Sequence, residues 1–114
     1  MAVVYKILRR DEWDKALKEG VFPGSAVDRR DGFIHLSTVR QLRETARRHF
    51  AGQNGLVLVG FDEGVLAPSL KWEPSRGGDL FPHVYGDIDP WGALSVNDLP
   101  LREGEHVFPE GLEE

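Results

Sequence analysis

Two histidines, a serine and a knot of charged and aromatic side chains hold most of the chemistry this sequence could perform. His35 and Ser37 stand two apart in GFIHLS (32–37). Lys71, Trp72, Glu73, Arg76, Asp79, His83 and Tyr85 crowd around the Gly77–Gly78 pair of LKWEPSRGGDLFPHVYG (70–86). An imidazole passes protons near neutral pH, a carboxylate can orient it, guanidinium forks match phosphate oxygens and aromatic rings offer stacking faces. On a strand, a spacing of two puts side chains on one face. Phe33, His35 and Ser37 therefore share a face opposite Ile34 and Leu36, and His83 shares one with Tyr85.

A second set of anion-binding groups lies in VRQLRETARRH (39–49), where Arg40, Arg43, Arg47 and Arg48 meet the single acid Glu44 in a chain of net charge −5. Arg40, Arg43 and Arg47 form one helical stripe, and Glu44 with Arg48 an i,i+4 pair. The same pattern also reads as a solvated helix face. A Ser-His-Asp arrangement could draw on His35 or His83 with Ser37, Ser69 or Ser75, but no G-x-S-x-G elbow is present. His35, His49 and His83 follow no standard ligand spacing, so no metal is expected. With no cysteine, disulfides, thiolate metal sites and thiol nucleophiles are excluded.

The elements that must position these groups can be outlined. VVYKIL (3–8) is β-branched and aromatic, a first strand. Asp11 caps a short helix carrying Trp13, Ala16 and Leu17, which Gly20 ends. Residues 21–31, with Pro23 and Gly24, read as a loop. GFIHLS is the second strand. Thr38 and Gln41 then form a T-x-x-Q capping box for a helix presenting Val39, Leu42, Ala46, His49 and Phe50 on one side. LVLVGF (56–61) is apolar throughout, as a central strand covered on both faces would be. LKWE and HVYGDI are further strands around the SRGGD loop, with Leu70 and Trp72 facing away from Lys71 and Glu73. WGALSVNDL is open between strand and irregular structure, and HVF is a last edge strand.

These elements make an α+β domain over residues 1–109 with a flexible acidic tail at 110–114. A chain of 114 residues, 40% apolar, holds one core. The charge of −5 and pI near 5.3 disfavour a general nucleic-acid coat. MAVVYKILRRDEW is too short before its charges for a signal peptide, and no run approaches a membrane span. A cytoplasmic monomer that binds no membrane is the expectation.

GFIHLSTVRQLRETARRHFAGQNGLVLVGFD resembles the central segment of the RNA 2′-phosphotransferases, members of the ADP-ribosyltransferase-like superfamily. The resemblance rests on His35-Leu36-Ser37, on Arg48-His49 closing the helix and on the apolar strand to Asp62, and KALKEGVFP is similar to the turn that precedes them. The whole chain, from VVYKIL to HVF, resembles a bacterial family known as domain of unknown function 952, with KWEPSRGGDLFPHVYG as its most distinctive block. The resemblance implies an ADP-ribosyltransferase-like fold: two small, roughly orthogonal sheets with helices outside and an NAD cleft between them. It implies NAD as a substrate-like cofactor and a nucleotide-like partner, with a phosphorylated acceptor. His35, Ser37 and His83 would then be catalytic, and Thr38, Arg48, Arg76 and Tyr85 would hold the nucleotide. No residue matches the catalytic glutamate of many ADP-ribosyltransferases, and Glu73 is a catalytic candidate by its chemistry alone. The alternative is a module that binds NAD, ADP-ribose or a protein partner without turnover. Tyr5-Lys6-Ile7 stands where that superfamily carries a basic first-strand motif, and the chain has no room for the phosphotransferases' nucleic-acid-binding lobe.

Overall fold

The computed structural model describes residues 2–112. In chain order it contains β1 (Val3–Arg9), α1 (Arg10–Glu19), α2 (Ala26–Asp31), β2 (Ile34–His35), α3 (Leu42–His49), β3 (Leu56–Asp62) and α4 (Glu63–Leu66). There follow β4 (Leu70–Pro74), β5 (Leu80–Val84), β6 (Ser95–Leu99), β7 (Leu101–Arg102) and β8 (Glu105–His106). The architecture is α+β: one sheet in the order β1-β3-β6, a second in the order β2-β5-β4, and a small β7-β8 hairpin. Every named pairing is antiparallel.

The first sheet is covered on both faces because β1 and β3 are apolar at nearly every position. Val4, Leu8, Val57, Val59 and Phe61 point into a core shared with Trp13 and Ala16 of α1 and with Ile34 and Val84 of the second sheet. Val3, Tyr5, Ile7, Leu56 and Leu58 point the other way, onto Leu42 and Ala46 of α3. Gly60 is opposite Tyr5 in the register. A Cβ there would come within 2.7 Å of the Ser95 Oγ and 3.0 Å of the Tyr5 ring, so the ring lies directly over the glycine. In the row between Val4 and Leu8 stands Lys6, buried. An unpaired ammonium there would be strongly destabilising, so it demands an acid.

The acid comes from α2, in a region the sequence reads as loop. Ser25 begins this helix, its backbone N–H donating 2.9 Å to the Asp28 carboxylate, and Gly32 ends it with φ 87°. That is the acidic half of an S-x-x-D box, and six residues leave no periodicity to detect.

Strand boundaries differ at proline. The expected HVYGDI strand begins earlier, at Leu80, and ends at Val84, so that Pro82 sits within β5, the middle strand of its sheet. The Leu36 N–H donates to the Pro82 carbonyl at 3.0 Å, but proline has no N–H to return the bond. The β2–β5 ladder therefore stops at His35 opposite His83. Two residues later the chain crosses to the first sheet, where Ser37 and Tyr5 exchange both backbone hydrogen bonds at 2.8 Å. His35-Leu36-Ser37 is thus the joint between the sheets.

Elsewhere, α1 starts at Arg10, with the Glu12 carboxylate accepting from the Arg9 N–H, while Asp11 pairs with Arg9 instead of capping. The open WGALSVNDL segment resolves into a 3-10 turn at Pro90–Gly92 and then β6. HVF is not an edge strand: only His106 pairs, in the β7–β8 hairpin. Phe108 and Leu112 pack on the second core. Glu113 and Glu114, the end of the expected tail, lie outside the described residues.

Candidate functional site

Lys6, Asp28 and His35 form one network, with Lys6 and Asp28 buried and His35 half-buried. Lys6 Nζ lies 2.8 Å from Asp28 Oδ2 and donates to the His35 carbonyl at 3.1 Å. Asp28 Oδ1 accepts from the His35 backbone N–H at 3.1 Å and lies 2.7 Å from His35 Nδ1. Burial alone would raise the Asp28 carboxyl, but the His35 hydrogen bond and the Lys6 charge outweigh it and hold the group at about 2. Burial pushes the Lys6 ammonium down, with Asp28 opposing. The other His35 nitrogen, Nε2, lies 3.0 Å from Asp31 Oδ2. A carboxylate only accepts, so both contacts are hydrogen bonds when both ring nitrogens carry hydrogen.

Directly across the strand pair lies His83, its ring centroid 5.6 Å from that of His35. Phe33 packs against both, 4.1 Å from His83 in a stacked arrangement and 4.5 Å from His35, and it also meets Tyr85 at 5.4 Å. His83 Nδ1 is 2.8 Å from Glu73 Oε1, which also accepts from the Tyr85 hydroxyl at 2.7 Å. Hydrogen bonds from Tyr85 and His83 lower the Glu73 carboxyl, and the same bond raises the Tyr85 phenol. His83 Nε2 has no protein partner. Among the described residues no fully buried side-chain nitrogen or oxygen is left without one, so Nε2 touches the surface, although His83 as a whole is only 4% exposed.

A third group sits where α3 meets the β4–β5 hairpin. The Arg76 guanidinium donates to Thr45 Oγ1 at 3.2 Å, lies 3.4 Å from Glu44 Oε2 and stands 4.8 Å over the Phe81 ring. Thr45 Oγ1 also shares a 3.0 Å hydrogen bond with Ser37 Oγ. Glu44 Oε1 reaches Arg48 at 3.3 Å. Burial and the charges of Arg76, His35 and Arg48 lower the His49 imidazole.

The residues expected at a site therefore divide. His35, His83, Glu73 and Tyr85 converge on one face, with Phe33 between the rings. Arg76 is held beside α3, with Ser37 linked to it through Thr45, but Ser37 is buried. Thr38 is used by the turn: its N–H donates to Gln41 Oε1 at 3.0 Å, and the Gln41 amide donates to the Leu80 carbonyl at 2.9 Å. Arg48 is exposed and reaches the group only through Glu44. Trp72 lies on the face of β4 opposite Glu73 and stays outside. Sequence reasoning missed Lys6, Asp28, Asp31 and Thr45. A lysine at the centre of an otherwise apolar strand and the Ser25-x-x-Asp28 box were the available signals.

Two cavities lie near these groups. A cavity of about 240 Å³ borders the cluster at Phe33 and Asp28 but is lined by neither imidazole. A second, of about 250 Å³, lies between α1 and the Phe22–Gly24 segment and contains none of the expected site residues. Among the described residues no group of histidines and acids is arranged to hold a metal, and no helix is long and apolar enough to cross a membrane.

The chain is similar to protein CC0527 from Caulobacter crescentus. Its crystal structure is 47% identical with a TM-score of 0.89, covering 92% of this chain and 93% of that one. The solution NMR structure of the same protein matches at 47% identity and a TM-score of 0.82, covering 93% and 91%. No curated protein matches the chain. A family model does match, over residues 7–96, from within β1 to within β6 and including the joint and both imidazoles, and on that match the chain belongs to the family of proteins of unknown function DUF952.

Proposed function

We propose that this domain binds NAD or a related pyrophosphate nucleotide on the outer face of the second sheet and transfers its ADP-ribosyl group to a hydroxyl or phosphorylated acceptor, as an ADP-ribosyltransferase-like enzyme. The observation that carries this reading is the cross-strand pair of His35 and His83 with Phe33 stacked on it, one His83 nitrogen without a protein partner and the other held by Glu73. Two small antiparallel sheets joined at His-Leu-Ser also fit the two-sheet part of the layout that the resemblance implies, but the space between them is filled by the core, so the proposed nucleotide face is the outer one.

In this reading the bond between ribose C1′ and the nicotinamide nitrogen breaks, and its electron pair leaves with the ring, which departs neutral because it was cationic. The acceptor oxygen forms the new bond to C1′, and its proton passes to His83 Nε2. Glu73 orients His83, Tyr85 and Phe33 supply stacking faces, and Arg76 neutralises the pyrophosphate. The test is nicotinamide release from NAD, with and without 2′-phosphorylated RNA. Release that falls about a hundredfold in His83→Ala supports the proposal, on the scale of a general base. Absence of both release and NAD binding sinks it.

A second reading, binding without turnover, is favoured by one observation: His35 has both ring nitrogens on carboxylates, and Ser37 is buried against Thr45. Two of the expected catalytic groups are thus already engaged. NAD or ADP-ribose binding with no nicotinamide released would select this reading.

A further inference from the structure

We infer that Glu44 is an internal carboxylate occupying an anion subsite built on Arg76, and that the pyrophosphate of a bound nucleotide displaces it. The identity of the ligand rests on the nucleotide reading above; the anion subsite rests on the geometry.

Arg76 is positioned for this before any ligand arrives. The hairpin that carries it is closed by the Ser75 N–H donating to the Asp79 carbonyl at 2.9 Å and the Gly78 N–H to the Ser75 carbonyl at 2.8 Å. Gly77 and Gly78 supply the positive φ values, 69° and 83°, that this turn requires. The side chain folds inward until it is 16% exposed, over the Phe81 ring and hydrogen-bonded to Thr45. A guanidinium offers five N–H donors, and the contacts to Thr45 and Glu44 leave others unused.

Glu44 is a loose occupant. Its side chain is 55% exposed, and its two oxygens are divided between Arg76 at 3.4 Å and Arg48 at 3.3 Å. Well-formed charge-assisted bonds run at roughly 2.7–2.9 Å. An exposed pair of this length contributes little and is easily exchanged. A phosphate group presents three oxygens, enough to take the Arg76 fork bidentately and to reach Arg48 with the third. Two guanidinium groups meet one carboxylate at this corner: Arg76 and Arg48 both reach Glu44, the one acid of α3. When a phosphate enters, the Glu44 side chain is free to swing to solvent because its backbone is fixed in the helix.

The experiment is calorimetric titration of inorganic pyrophosphate into the wild type, Glu44→Gln, Arg76→Gln and Arg48→Gln, with a thermal melt of each unliganded protein. Removing the competing carboxylate should tighten pyrophosphate binding about two- to fivefold, the range of an exposed ion pair. Arg76→Gln should weaken it at least about tenfold and Arg48→Gln about twofold. If Arg76→Gln does not fold, the Arg76 Nε resonance of the wild type decides the point, since it must shift on addition of pyrophosphate. Unchanged affinity in Glu44→Gln, undiminished affinity in a folded Arg76→Gln, or an Arg76 Nε signal that ignores pyrophosphate overturns the inference. NAD is titrated in parallel. The expected pyrophosphate pattern without NAD binding leaves the subsite standing and removes the nucleotide reading. NAD binding with pyrophosphate indifferent to all three changes does the reverse.

Discussion

His35 and His83 are cross-strand neighbours with their rings 5.6 Å apart, yet they sit in opposite chemical situations. His35 is tied at both nitrogens, to Asp28 inside and Asp31 outside, and Asp28 is anchored in turn by Lys6. His83 is tied at one nitrogen, to Glu73, and its other nitrogen has no protein partner, though the ring is buried to 4% exposure. The first is a closed network with no capacity left for a ligand, and the second is an oriented imidazole with one open position. A buried polar network with every member partnered fixes a single geometry, while an open valence beside solvent is where chemistry can enter. In the proposed mechanism the difference shifts the proton-accepting role from His35, which leads the His-Leu-Ser triplet, to His83, and leaves His35 as support beside it.

Removing the anchor of the closed network should have the largest effect. Asp28 is 1% exposed, and Asp28→Asn leaves the Lys6 ammonium buried without an opposite charge. Breaking a buried pair from one side costs about 3–5 kcal/mol, so a loss of that size in urea unfolding is expected. Lys6→Met should cost less, because Asp28 keeps its bonds to Ser25 and His35. A double-mutant cycle between Lys6 and Asp28 should show coupling above about 1 kcal/mol. A loss under about 1 kcal/mol in Asp28→Asn would show that the network is not what holds α2 to β1.

The same carboxylate sets an acid limit on stability. The Asp28 group is held at about 2 against an ordinary 3.8. A depressed carboxyl stabilises the fold fully above the unfolded value, and the contribution disappears as pH falls from about 4 through about 2. Nearly two units correspond to about 2 kcal/mol. Unfolding midpoints measured between pH 5 and pH 2 should fall accordingly in the wild type, and this component should be missing in Asp28→Asn. Identical acid slopes in the two proteins would remove Asp28 as the source.

How far these networks could be read from the sequence depended on the range of the interaction. The shared faces of Phe33 with His35 and of His83 with Tyr85 followed from the two-residue period of a strand, and LVLVGF announced a strand covered on both sides. Asp28 was hidden because its helix is six residues long and follows Pro23 and Gly24, which favour a loop reading. Lys6 was visible as a strand residue, but only the pairing of β1 with β3 reveals that both faces of its strand are buried. Pro82 lies just outside the strand expected from the sequence, and its missing N–H is where the second sheet releases Ser37 to the first. Local chemistry was legible, and the contacts made between distant segments were not.

On the open side, Glu73→Gln should leave the unfolding midpoint unchanged while lowering any nicotinamide release about tenfold, because the amide no longer holds His83 as a carboxylate does. Glu73 accepts from both His83 and Tyr85 through the same oxygen, Oε1. Tyr85→Phe removes only one of those bonds and should reduce release less than Glu73→Gln. A drop in the unfolding midpoint with unchanged release would place Glu73 among the structural acids beside Asp28, and the contrast between the two histidines would lose its meaning.

The smallest expected effect separates the two arginines that share Glu44. Arg48 is 55% exposed and joined to Glu44 by a single i,i+4 contact of 3.3 Å, whereas Arg76 is 16% exposed and held by a hydroxyl, an aromatic face and the same carboxylate. Exposed i,i+4 pairs contribute about 0.3–0.5 kcal/mol, so Arg48→Ala should change stability by no more than about 0.5 kcal/mol. The loss is further limited because Glu44 keeps its contact with Arg76 once Arg48 is gone. A larger loss in urea unfolding would mean that Arg48 supports α3 directly. It would then belong with Lys6 among the residues that build the scaffold, and Arg76 alone would remain as the cation available to a ligand.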